Sequence, residues 1–210
     1  MRGNGLRKVF LVISSLALGI FLIESFARGE ESCKCGAEQA GAASGESLDK
    51  SLKKALPDFD NNPVEQVIFA DDKAAAKNCD YVEGRGCKVY PAKKKGALVG
   101  FAIPWTGKGL KGPIKILLGI TPGGEITGID VLAQKESPNW GGKITGEDFQ
   151  KQFLKRTLKN TKWRIEKDGG DIKAVTGASI SSRGVANAVK AALDFYEKNK
   201  AALLKQGRGS

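Results

Sequence analysis

Between Ala97 and Gln134 the chain alternates short apolar runs with glycine-rich turns, and an antiparallel sheet is the arrangement that satisfies this pattern. The runs are ALVGFAIP (97–104), PIKILLGI (113–120) and EITGIDVLAQ (125–134). WTGKGLKG joins the first two and carries Gly107, Gly109 and Gly112. TPGG joins the last two, with Pro122 where a turn wants a fixed φ and Gly123 where it wants a positive one. Three consecutive strands with such punctuation predict a meander. VEQVIFA (64–70) adds an earlier strand, and KVYPA follows the Cys79 to Cys87 segment.

Helical spacing flanks these strands. Leu48, Leu52 and Leu56 recur every four residues in SLDKSLKKALP, with Ser47 as N-cap and Pro57 as terminator. In GEDFQKQFLKRTL (146–158), Phe149, Phe153 or Leu154, and Leu158 share a face. A last helix is expected from Ser182 to Lys205, with Val185, Ala188, Val189, Ala192, Leu193 and Tyr196 on one side. The order predicts an α+β fold, an antiparallel sheet meander with flanking helices.

The N-terminus sets the compartment. Arg2, Arg7 and Lys8 precede an uncharged apolar run from Val9 to Ile23, extended by Phe26 and Ala27. A comfortable span takes ~20 residues. The positive flank keeps the N-terminus in the cytoplasm and exports the rest. A cleaved signal peptide ending at Ser25-Phe26-Ala27 is the competing reading, and it also exports the domain. The favoured organisation is one N-terminal transmembrane helix (1–27), a Gly/Ala/Ser/Glu-rich linker (28–47) and an extracytoplasmic domain (48–210). The protein is then single-pass in the inner (cytoplasmic) membrane, with its domain on the periplasmic side.

Export favours disulfides among the four cysteines. Cys79 and Cys87 could close a small loop around DYVEGRG, whereas Cys33 and Cys35 lie in the linker and metal binding by the four is a weaker alternative. The chain has no histidine, which excludes Ser-His-Asp and Cys-His nucleophile pairs and His-ligated metals. Its net charge is +11, but the lysines are dispersed and not interleaved with aromatics, so no nucleic-acid partner is expected. Lys93, Lys94 and Lys95 read as a solvated turn.

The remaining signal is AVTGASISSRGV, where Thr176, Ser179, Ser181 and Ser182 crowd the start of the last helix. The ordinary reading is a capping segment, with Ser181 or Ser182 as the cap. The sharper one is a phosphate site. Gly177 and Ala178 leave the backbone open, and amides at a helix N-terminus attract an anion.

With ESPNWGGK (136–143), this motif resembles the FMN-binding domain of the RnfG/NqrC group, subunits of membrane redox-driven ion pumps, and most closely the RnfG branch. The resemblance runs from the N-terminal anchor to the last helix. It implies FMN joined covalently, through its phosphate, to the hydroxyl at the last position of [ST]-G-A-T, which is Ser179 here. A separate flavin transferase makes that bond. Thr176, Gly177, Ala178 and Ser181 would form the cradle. Glu136, Ser137, Pro138 and Trp140 stand in the place of an E-T-P-G-L-G loop that lies against the flavin. The implied role is an electron relay, not a catalyst by itself, in an Rnf-type ferredoxin:NAD oxidoreductase that moves ions, with other membrane subunits as partners. An NqrC-like or free-standing flavin carrier, and a flavin-less exported scaffold, are the alternatives. Three departures stand out: Ser179 replaces Thr, Lys173 replaces an acid (Asp171 lies two residues earlier), and Asn139 and Trp140 replace Gly and Leu.

Overall fold

A computed structural model of the chain describes residues 45–56 and 58–209. The expected transmembrane helix, most of the linker, and Cys33 and Cys35 lie outside the described residues. Among those described, no helix is long and apolar enough to cross a membrane.

The chain runs through α1 (Gly45–Ala55), β1 (Ile68–Ala70), β2 (Tyr81–Val82), β3 (Gly86–Lys94), β4 (Ala97–Lys108), β5 (Pro113–Ile120), β6 (Ile126–Ala133), α2 (Glu147–Lys151) and α3 (Ser179–Gly209). The strands form one antiparallel sheet in the order β1-β3-β4-β5-β6, with β2 also paired to β3. The fold is α+β, as the sequence predicts.

Both faces of the sheet are covered, which explains the continuous apolar runs. Successive strand residues point to opposite faces. Phe101, Ile103, Ile116 and Leu118 join the large core under α3, with Val185, Val189 and Tyr196. Ala102 and Leu117, between them in sequence, pack on the other side against Leu52, Ala55 and Leu56 of α1. Polar bonds hold α1 in place as well. The Ser51 hydroxyl and the Lys54 ammonium both donate to Asp130 at 2.7 Å, and Thr127 Oγ1 donates to the Ala55 carbonyl at 2.8 Å.

Several boundaries differ from the sequence reading, each for a local reason. Helix α1 begins at Gly45, so Ser47 sits inside it rather than at its cap, and residues 45–47 belong to the helix rather than the linker. The first strand starts only at Ile68, because residues 63–66 form turns and the Val64 amide donates to Asn62 Oδ1. Strand β4 continues through Trp105 to Lys108, which leaves a short turn before β5. In the TPGG hairpin the positive φ, 94°, falls at Gly124 rather than Gly123. Lys95 and Gly96 both take positive φ in the β3–β4 turn, while Lys93 is buried, so only part of that lysine run is solvated.

The expected helix over 146–158 shortens to α2. After Phe153 the chain turns at Lys155, which has a φ of 59°, and exchanges two backbone hydrogen bonds with Ile126 of β6. The Lys155 amide donates to the Ile126 carbonyl, and the Ile126 amide donates to the Arg156 carbonyl, each at 2.9 Å. Pairing with the sheet overrides the helical periodicity. Phe149 and Phe153 still enter the core, whereas Leu154 remains exposed. The Cys79–Cys87 disulfide staples β3 to the segment before β2.

Candidate functional site

The site begins with how α3 starts. Residues Val175 to Ala178 make a turn in which the Ala178 amide donates to the Val175 carbonyl at 2.9 Å. Gly177 is its third residue, with a φ of 78°, the conformation a type II turn reserves for glycine. The Ser182 amide then donates to the Ala178 carbonyl at 2.9 Å. Ala178 is therefore the N-cap residue, and Ser179 is the first residue of the helix. Amides in a first turn lack intrahelical partners, and an alanine cap offers them no side-chain oxygen. The hydroxyl of Ser179 thus sits among donors that suit an anion.

Ser181 and Ser182 are not the caps that the sequence suggests, because the helix starts three residues earlier than expected. Both are buried. Ser182 Oγ accepts the Val175 amide at 3.0 Å and so clamps the turn onto the helix. The Ser181 hydroxyl donates to Glu136 Oε2.

Glu136 is only 6% exposed and works as a pin. Its Oε1 accepts the Lys111 amide at 2.9 Å, and the Leu110 and Gly112 amides also bond to the carboxylate. Burial alone would raise its pKa. The hydrogen bonds from Ser181 and these three amides outweigh that and hold it below the ordinary carboxylate value. One side chain thus ties together the 136–146 segment, the β4–β5 turn and the start of α3.

Around these elements lies a cavity of about 410 Å³. Its wall brings together Glu136, Ser137, Trp140, Gly177, Ala178, Ser179 and Ser181, all of them anticipated from the sequence. Thr176 is exposed on the turn and is not part of that wall. Pro138 lines a neighbouring cavity of about 750 Å³ instead, together with Val175. Lys173 faces neither cavity. Its backbone is bonded in both directions to the side-chain amide of Gln152.

The sequence reading missed four members of the wall: Leu110, Gly141, Lys167 and Ile180. Leu110 is 62% exposed and Ile180 48% exposed. An isolated leucine in a Gly/Lys turn, and an isoleucine off the apolar face of its helix, were the available signals. Lys167 arrives through a paired contact. Arg183 of α3 forks onto Asp168 at 2.6 and 2.9 Å and draws residues 166–168 to the helix start.

The arrangement suits a phosphate carrying a large planar apolar group. It offers a hydroxyl at a helix start, a nearby lysine, an apolar rim and a volume within the range of about 300–1,000 Å³ typical of small-molecule sites. Among the described residues no cluster is suited to a metal.

The FMN-binding domain family matches residues 109–194, which include Glu136 and Ser179. The G subunit of the ion-translocating oxidoreductase complex of Cereibacter sphaeroides is 30% identical over 200 residues, covering 92% of this chain and 87% of that protein. The corresponding G subunit of Shewanella piezotolerans is 32% identical over 166 residues, covering 75% of this chain and 76% of that protein. The fold is also that of the C subunit of a Na⁺-translocating NADH-quinone reductase from Parabacteroides distasonis. There the TM-score is 0.53 at 18% identity, over 74% of this chain and 92% of the other. Through these relatives the chain is placed in the family of G subunits of ion-translocating oxidoreductase complexes.

Proposed function

We propose that this protein is an electron-relay subunit of an Rnf-type complex and carries FMN esterified through its phosphate to Ser179 Oγ. The observation that carries the reading is the position of Ser179. It is the first residue of a long helix with an alanine cap, and it opens into an apolar-rimmed cavity. The flavin, when bound, supplies redox chemistry that accepts and returns electrons one or two at a time.

The chain's own residues hold and shield it. Ser179 provides the ester oxygen. The first amides of α3, with Lys167 near them, balance the charge of the phosphodiester. Glu136 keeps the 136–146 segment and the β4–β5 turn closed around the cavity, and Ser137, Trp140 and Ala178 complete its wall. A covalent tether suits an exported domain, where a dissociated cofactor would be lost. The Cys79–Cys87 disulfide supports export to an oxidising compartment. In this reading residues 1–27 anchor the domain in the inner membrane, other subunits of the complex deliver and remove electrons, and a flavin transferase matures the protein.

The test is co-expression with a flavin transferase, followed by a denaturing gel viewed for flavin fluorescence. The wild type should fluoresce and Ser179→Ala should be dark. A dark wild type would remove the relay reading and favour a flavin-less scaffold. A fluorescent Ser179→Ala would move the attachment to another hydroxyl, with Thr176 the next candidate.

A further inference from the structure

Resting on that reading of Ser179, we infer that Trp140 is the stacking platform for the flavin ring in this chain. The three tryptophans of the sequence are placed very differently. Trp105 and Trp163 are buried and ring-paired, with Phe195 at 5.3 Å and Phe153 at 6.4 Å between centroids. Trp140 is 54% exposed and has no aromatic partner among the described residues. It lines the same cavity as Ser179. An indole left in water beside a tethering hydroxyl is a planar apolar surface without its counterpart.

The indole is also held in place from below. A Cβ on Gly177 would fall 2.1 Å from Trp140 Cε3 and 2.6 Å from Cζ3. The six-membered ring therefore rests on the backbone of the attachment turn itself, in space that only glycine leaves free. Lys143 Nζ lies 5.9 Å from the centre of the ring, near enough for a cation–π attraction. The cost of ordering the indole is thus met before any ligand arrives, which is what a stacking partner requires. Leu110 and Ile180 supply further apolar surface in the same cavity. Of the large hydrophobic side chains exposed among the described residues (Val64, Leu110, Trp140, Leu154 and Ile180), three line this one cavity. That concentration points to one planar apolar occupant.

An indole in van der Waals contact with an isoalloxazine ring quenches its fluorescence, so the contact has a readout independent of electron-transfer activity. The full chain, matured with its flavin transferase, is compared with Trp140→Phe and Trp140→Leu. Emission is normalised to flavin absorbance and read before and after denaturation. Visible circular dichroism reports whether the ring is held in a fixed asymmetric setting. In the wild type, denaturation should raise emission several-fold. In both variants the folded protein should already emit near the denatured level. Trp140→Phe should keep the visible dichroism, since a ring still stacks there, and Trp140→Leu should lose most of it.

A folded-state emission as low as that of the wild type in both variants would overturn the inference. So would failure of both variants to take up flavin while the wild type does, because the indole would then serve the transferase rather than the cofactor. A wild type that matures normally and is unquenched when folded also overturns it, and leaves the Ser179 assignment intact. A wild type with no covalent flavin overturns both.

Discussion

At the scale of single residues, Glu136 and Ser179 have different tasks although they share a cavity wall. Glu136 organises, and in the proposed function Ser179 attaches. Glu136→Gln keeps the shape of the side chain but turns a carboxylate oxygen into a donor facing the amides of residues 110–112 and the Ser181 hydroxyl. Buried donors without partners cost about 1–3 kcal/mol, so the variant should be less stable than the wild type by that order at neutral pH. The sign with pH follows from the lowered pKa of Glu136. Its contribution is fully present above the ordinary value of 4.5 and is lost as pH falls through the lower folded-state value. Denaturation curves of the two proteins should therefore converge below pH 4.5. At this scale the sequence showed much. The pairing of TGAS with ESPNWGG pointed to seven residues that the fold gathers in one wall. Leu110 and Ile180 stayed hidden because nothing in their local patterns links a β-turn to a helix start seventy residues away. Nor does local pattern show that the Glu136 carboxylate turns inward to backbone amides instead of outward to a ligand.

At the scale of elements, the site depends on how closely α3 crosses β4. A Cβ on Gly184 would fall 2.4 Å from the Lys108 carbonyl oxygen, and one on Gly107 would fall 2.7 Å from Ala188 Cβ. Helix and strand thus touch backbone to backbone, one and a half turns from Ser179. Gly184→Ala should push the start of α3 away from the β4–β5 turn and strain the Glu136 bonds that bridge them. Overpacking of this kind costs about 1–3 kcal/mol, readable in urea denaturation, and covalent flavin loading should fall with it. Tyr196, further along α3, secures the opposite end of the sheet. Its hydroxyl donates to the Pro122 carbonyl in the TPGG turn at 2.8 Å, and burial, with Glu197 nearby, pushes its pKa up to about 12. The strands and α3 were legible because their apolar periods are long and their turns carry glycine. Helix α2 was overextended in the sequence reading because the exchange of hydrogen bonds between residues 155–156 and Ile126 is non-local.

At the scale of the molecule, one sheet with a helix on each face carries two hydrophobic clusters. The Cys79–Cys87 link adds to that framework by closing a short loop, with a sequence separation of 8. Loop-closure entropy for so short a loop is worth about 2–3 kcal/mol. Reduction, or Cys79→Ser with Cys87→Ser, should lower the melting temperature by roughly 5–10 °C for a domain of this size, measured by calorimetry with and without reductant. Maturation should act in the opposite direction, through the alanine at the head of α3. Replacing a good N-cap by alanine costs about 1 kcal/mol, and an anion at a helix start returns about 0.3–1 kcal/mol, up to ~2 in sheltered geometry. Esterified phosphate at Ser179 would supply the cap that Ala178 cannot. In the proposed function, attachment of the cofactor would then double as a durability mark. Chains that miss it would fray first at the helix that should bear it, and proteases could clear them without recognising flavin at all.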